Sequence, residues 1–493
     1  MRLRNLIHVC LRRSAVVSAC AALSATACIG PLSAAAPTAY DPKLWLEDLE
    51  QAREAFATKY ANLEWAVLER EMNLSALFAD TRTRVESATG AAEARAAFDR
   101  LARKLGDGHV RFQWPTEQAP SKTPSADCAA LGYDASMPGA ATAAWIPGYA
   151  PLAGGAGNVF PAGMLRAAGH TLGIVQIGVF SPQGYPPLCE AALAALKIVP
   201  SSACDTPCSD KIEAWGSEWM TRDLERQLRA VKAAGADVLL VDLTDNGGGT
   251  EWAEAAARMV TAVRVKSERG AFVRGPHWSS AFEKNETELR SAARAASAED
   301  RAVLIGFADE VAQRRRAAAT PCDSTPLWQG ERLSCQWLGD GFYATGVLDA
   351  ADPEQLRGKP WASLIFSPME YPYHEGIWRG PLIVLVNGGT GSAAEEFAAV
   401  LQDNHAAIVM GAPTYGAGCG HTDGGTPTTL KHSGGILELP DCARLRADGS
   451  NEVMGIQPDV LVGLRSADGP HRRGLRVAQK LSEAIQRATG SSN

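Results

Sequence analysis

Ser392 is the residue whose type and setting could do chemistry. It follows an apolar, β-branched run, Leu382 to Val386, and the turn Asn387-Gly388-Gly389-Thr390-Gly391. It precedes a helical pattern with Phe397, Val400 and Leu401 on one face. Strand, glycine-rich turn, serine and helix suit nucleophilic catalysis. Asn and Gly tolerate positive φ, the turn exposes the hydroxyl, and the first helical amides lack intrahelical partners. One of those amides could stabilise an oxyanion. Alone, such a serine is an ordinary helix N-cap. A catalytic serine also needs a base within hydrogen-bond reach, which a neutral imidazole supplies near neutral pH. A carboxylate on the second imidazole nitrogen would fix the tautomer and stabilise the imidazolium.

The elements that would position these groups follow from periodicity. At 493 residues the chain is too long for one simple core. Its 46% hydrophobic and 21% charged content is that of an ordinary globular protein. Residues 37–112 read as a helical N-terminal cap of about three helices, with Leu49, Phe56, Tyr60 and Leu63, then Phe98, Leu101, Ala102 and Leu105, at helical spacing. Residues 113–165 read as an irregular or small β linker. Residues 166–269 and 381–466 carry an α/β pattern of apolar strands, glycine turns and helices, including the buried run Val238 to Leu243 and the turn Asp245-Asn246-Gly247-Gly248-Gly249. Residues 270–380 read as an insertion, helical and then turn-rich, and 467–493 as a C-terminal helix.

Three stretches stand out: Asp107-Gly108-His109-Val110-Arg111-Phe112, residues 241–249, and residues 387–403; residues 451–460, Asn-Glu-Val-Met-Gly-Ile-Gln-Pro-Asp-Val, make a fourth. Their set and order resemble the core of the tail-specific (C-terminal processing) peptidases and the tricorn protease. That resemblance implies a crotonase-like α/β core with a helical N-terminal cap, and the 270–380 insertion lies outside it. It implies Ser392 as nucleophile and the Gly247 or Gly248 amide, with that of Ala393, as the oxyanion hole. The processing peptidases use a lysine as base in the loop after the second strand. Here that loop is Thr414-Tyr415-Gly416-Ala417-Gly418, and Ala417 stands at the lysine position. The tricorn-like branch uses a histidine and a late glutamate, which match His109 and Glu452. Gly108 stands where that branch has an auxiliary hydroxyl. His421 reads as a solvated loop histidine before a substitute base, His374 as a structural residue or one of the cleft rim, and Glu395 and Glu396 favour the start of their helix electrostatically.

The reading is an exported serine-type peptidase acting on peptide or protein substrates without a cofactor or metal. Its rivals are a non-catalytic ligand-binding protein on the same fold and a serine hydrolase of non-peptide esters or amides. Residues 1–36 read as a signal peptide, with Arg2, Arg4, Arg12 and Arg13, an apolar stretch from Ala15 to Leu32, and small residues near a cleavage site at residue 35. This places the protein in the periplasm or outside the cell. Removing those residues takes away four positive charges and moves the net charge from −7 to −11. An acidic chain with no basic cluster argues against nucleic-acid binding. No mature segment is long and apolar enough to span a membrane. Eight cysteines remain after cleavage, an even number that in an exported chain points to disulfides. Nearness suggests Cys204–Cys208, Cys322–Cys335 and Cys419–Cys442, leaving Cys128 with Cys189. No close Cys-x-x-Cys pair or His-Glu-x-x-His stretch suggests a metal site instead.

Overall fold

Alternation along neighbouring strands sorts the core into two faces. The structure, a computed structural model, describes residues 40–115, 125–154, 158–422 and 425–490; the expected signal peptide lies outside them. The chain begins with α1 (Pro42–Lys59), α2 (Leu74–Ser87), α3 (Ala91–Leu105) and the short strand β1 (Arg111–Gln113). Asp41 and Asn73 cap α1 and α2 with their side chains, and Gly106, at φ 66°, closes α3 in the left-handed conformation that glycine adopts freely. Then come β2 (Ala150–Pro151), β3 (Ala162–Ala167), β4 (His170–Gln176), α4 (Pro186–Leu196), α5 (Thr206–Ala233), β5 (Val238–Asp242) and α6 (Trp252–Met259).

The next stretch holds β6 (Arg269–Val273), α7 (Pro276–Ala295), α8 (Ala298–Ala318), β7 (Leu338–Tyr343), α9 (Pro353–Leu356) and α10 (Ala362–Ile365). The remainder is β8 (Leu382–Val386), α11 (Ala393–Asp403), β9 (Ile408–Gly411), β10 (Thr428–Thr429), β11 (Ile436–Glu438), β12 (Cys442–Leu445), β13 (Val460–Leu461) and α12 (Pro470–Thr489).

The main sheet is seven-stranded in the order β13-β9-β8-β5-β4-β3-β2. From β4 to β13 neighbours run parallel, while β2 and β3 are antiparallel additions. Both faces of the parallel part are covered, which is why β8 and the first four residues of β5 are continuous apolar runs. Leu239, Val241, Val384, Val386 and Val409 pack against α5, α6 and α11 through Leu224, Leu228, Trp252, Phe397 and Val400. The alternate residues Val238, Leu240, Ile383, Leu385 and Met410 pack against α12 through Val477, Leu481 and Ile485. The result is a three-layer α/β architecture.

Two small sheets complete the fold. One is β1-β11-β10 and the other β12-β6-β7. The second ties residues 269–343 to the later part of the chain, because β6 pairs with β12 in the register Phe272 with Cys442 and Gly270 with Arg444. Four disulfides join Cys128 to Cys189, Cys204 to Cys208, Cys322 to Cys335 and Cys419 to Cys442, the pairing that nearness suggests. Among the described residues, no helix is long and apolar enough to cross a membrane.

Candidate active site

Because β5 and β8 are parallel neighbours, the turns after them emerge side by side at the carboxyl edge of the sheet, where open α/β sheets build their sites. Side chains zip the two turns together. Asn387 Oδ1 accepts from the amides of Gly389 and Asp245, both at 2.9 Å, and its Nδ2 donates to Asp245 Oδ1 at 2.8 Å. Thr390 donates to the Leu243 carbonyl at 2.9 Å, and the Gly391 amide to the Asn246 carbonyl at 2.9 Å.

The zipper delivers Ser392 at φ 53° and ψ −123°, a backbone conformation that a residue with a Cβ rarely adopts. A serine on a sharp, strained turn between strand and helix is the arrangement of a nucleophile elbow. Gly248 lies directly against it: a Cβ there would sit 2.7 Å from Ser392 Cβ and 2.9 Å from the Ala393 nitrogen, at φ 109°. The two candidate oxyanion amides of this turn differ. Gly248 donates to Asn246 Oδ1 at 2.8 Å. Gly247 is exposed, has open space where a Cβ would point, and has no acceptor for its amide among the described residues.

His109 is half-buried in the turn between α3 and β1. The Asp107 carboxylate accepts from its backbone amide at 2.9 Å, from Tyr60 Oη at 3.0 Å and from Asn62 Nδ2 at 2.8 Å. The helical cap therefore fixes the turn. The ring Nδ1 lies 2.8 Å from the Ala417 carbonyl. A carbonyl can only accept, so Nδ1 carries the proton and Nε2 keeps its lone pair. Gly420, at φ 87°, leaves that nitrogen clear: a Cβ there would sit 2.9 Å from Nε2. Burial, ahead of the nearby Arg444 and Arg111 charges, pushes the imidazole pKa below its ordinary value. His421 stacks edge-on against the His109 ring at 5.6 Å, and His374 lies elsewhere, 3.1 Å from Glu225.

One difference from expectation stands out. Glu452 is buried, but Arg444 takes both of its oxygens, Nε to Oε2 at 2.5 Å and Nη2 to Oε1 at 2.7 Å. The partner of His109 Nδ1 is thus the Ala417 carbonyl and not the Glu452 carboxylate. Burial raises the Glu452 pKa, but the Arg444 charge and hydrogen bonds outweigh it and the net direction is down. Glu268 lies 3.7 Å from Arg444; burial and the Glu452 charge push its carboxyl well above the usual range.

Two residues carry more than their positions suggest. Glu395 Oε1 accepts from Thr414 Oγ1 at 2.5 Å and the Gly416 amide at 2.7 Å, while Oε2 accepts from the amides of Ala417 at 2.9 Å and Ser392 at 3.0 Å. It clamps the 414–417 loop to Ser392, a larger role than favouring the helix start. Glu396 is buried and accepts from Arg444 Nη1 at 2.9 Å; burial pushes it up to about 8, with Arg444 opposing. A run of small residues followed by two glutamates gives no sign that both carboxyls turn inward. Tyr415, 61% exposed, lies between Gly108, in the turn that carries His109, and Gly391, just before Ser392.

Residues 211–462, just over half of the chain, match Peptidase family S41, and the chain belongs to that family. It is a serine peptidase, and its substrates are peptides or proteins. Among solved structures, mature CPAF is 13% identical with a TM-score of 0.55, the match covering 92% of this chain and 99% of that one. Mature CPAF complexed with lactacystin is 14% identical with a TM-score of 0.57, over the same shares. At these identities the likeness is one of fold. No curated protein matches by sequence.

Proposed function

We propose that this chain is an exported peptidase of the Ser-His-Glu type, the branch that resembles the tricorn protease. The carrying observation is Ser392 in a strained strand-to-helix turn, flanked by the open Gly247 amide and by the first amide of α11, which has no acceptor among the described residues. Ser392 Oγ attacks the scissile carbonyl as His109 Nε2 takes its proton. The oxyanion forms against the amides of Gly247 and Ala393; Gly248 brings the turn close but spends its own amide on Asn246. The imidazolium then protonates the leaving amine, the C–N bond breaks, and the acyl group remains on Ser392. Water, deprotonated by His109, attacks the ester, and the acid leaves as Oγ regains a proton. The Ala417 carbonyl orients the imidazole. Glu452 acts from a distance: its charge raises the His109 pKa, opposing the burial that lowers it. Ala417 leaves no lysine in the loop after β9 to act as base.

Four disulfides support passage through an oxidising compartment, as the leading residues 1–36 suggest. The test is labelling of the purified mature protein by a fluorophosphonate. Rapid labelling lost in Ser392→Ala is expected. A protein that neither labels nor cleaves a generic peptide is a binding protein, and one that cleaves esters but no peptide belongs to the non-peptide hydrolases. Intact mass should show an N-terminus near residue 36 and no free thiol.

A further inference from the structure

Arg444 touches none of the reacting atoms, yet its guanidinium spans the ground between them. It lies on β12 and is only 6% exposed. Nη2 donates to the carbonyl of Ser392 at 3.1 Å and that of Gly418 at 3.0 Å, besides Glu452. Two hydrogens thus serve three oxygens, so these bonds are shared. Glu396 holds Nη1, and Glu452 holds Nε. The fork is fixed on every side.

The Ser392 carbonyl and the Ala393 amide belong to one peptide plane. In a trans peptide C=O and N–H point in opposite directions, so a group that fixes the oxygen fixes the aim of the hydrogen. The oxygen also accepts from the Glu395 amide at 2.9 Å and the Glu396 amide at 3.1 Å, both from within the helix. Arg444 is the contact from outside it, and a charged one, which strengthens and polarises the peptide it holds. A buried arginine kept only to neutralise a glutamate is weak support for a fold and would have no reason to reach this carbonyl.

We propose that Arg444 is a positioning residue for the oxyanion hole: it holds the Ser392–Ala393 peptide plane so that the Ala393 amide faces the developing oxyanion, and by its bond to Gly418 it keeps the loop next to His109 in register with that plane. This rests on the reading of Ser392 as nucleophile and Ala393 as oxyanion donor. A lysine could keep a positive charge near Glu452, but its single nitrogen cannot reproduce the planar fork.

The experiment compares wild type, Arg444→Lys and Ser392→Ala in fluorophosphonate labelling and steady-state peptide cleavage, with melting curves as the check on folding. Folded Arg444→Lys should lose about 100-fold in kcat and in labelling rate, the scale of one lost oxyanion donor, with KM changed less than about threefold. A folded Arg444→Lys within about threefold of wild type in kcat overturns the proposal, as does a loss confined to KM. Labelling that survives in Ser392→Ala overturns the underlying reading as well, which separates the two failures. Should Arg444→Lys not fold, a crystal structure of the wild-type mature protein decides: a guanidinium out of hydrogen-bond reach of the Ser392 carbonyl overturns it, and one within reach supports it.

Discussion

The proposed nucleophile and the proposed base are held in different ways. Ser392 is strained, and its peptide groups are gripped from two sides by charged side chains, the amide by Glu395 and the carbonyl by Arg444. His109 is not strained. Asp107 caps its backbone, and one backbone carbonyl, that of Ala417, orients its ring. The nucleophile thus sits on a helix whose face packs into the main core, while the base depends on a loop. Both sides meet in that loop, since Glu395 binds the Ala417 amide and the Ala417 carbonyl binds His109. Strain survives where the surroundings over-determine it, and orientation can be entrusted to a single dipole where none exists.

This contrast can be tested, beginning with the largest effect. Ser392→Ala and His109→Ala should each lose at least about 10⁴-fold in kcat, and the double variant little more, because the two act as a unit. A folded His109→Ala variant at near wild-type rate would break the pairing and point to His421. Next is Gly248→Ala. Its Cβ meets Ser392 and the Ala393 nitrogen, and its φ of 109° disfavours any side chain, so about 100-fold in kcat and about 1–2 kcal/mol of stability should be lost. On the base side, Gly420→Ala should damage proton transfer by crowding Nε2, slowing turnover with less effect on substrate binding.

The pH dependence is a smaller effect. In the proposed mechanism the neutral imidazole is the base, so activity should rise with pH through the His109 pKa and stay high above it. Because burial lowers that pKa, the rising limb of kcat/KM should lie below about pH 6.5. Glu452→Gln removes a charge that raises the pKa, and should move the limb to still lower pH. A limb above pH 7 would contradict the buried, carbonyl-bound imidazole. The mildest is Cys442→Ser. Opening the Cys419–Cys442 loop, 23 residues in sequence separation, should cost about 3 kcal/mol on the chain-entropy account and weaken activity only as the 416–420 loop loosens. Thermal melts with and without reductant measure it.

Much of this was legible in the chain. Five apolar residues in Leu382–Val386 and in the run from Val238 announced doubly covered parallel strands, because alternation fails when both faces are buried. The turns gave themselves away by Asn and Gly. Arg444 did not. Its partners lie 8, 26, 48 and 52 residues away, and between Cys442 and Leu445 it looks like any polar position of a short strand. A charged residue in a short strand beside a cysteine was the available hint, but only the pairing of β6 with β12 shows that this strand is buried. The same distance explains Glu452: proximity to the Gly455–Asp459 stretch located it, but nothing in the sequence said that a guanidinium would take its oxygens.

The pairing of β12 with β6 also bears on timing. A chain emerging from its N-terminus presents His109, the Gly247 turn and Ser392 well before Cys442, Arg444 and Glu452. The staple and brace beside Ser392 and His109 therefore arrive after both, and β12 must reach back to a strand made long before. A chain ending at residue 440 should hold every proposed reacting group and still be inert.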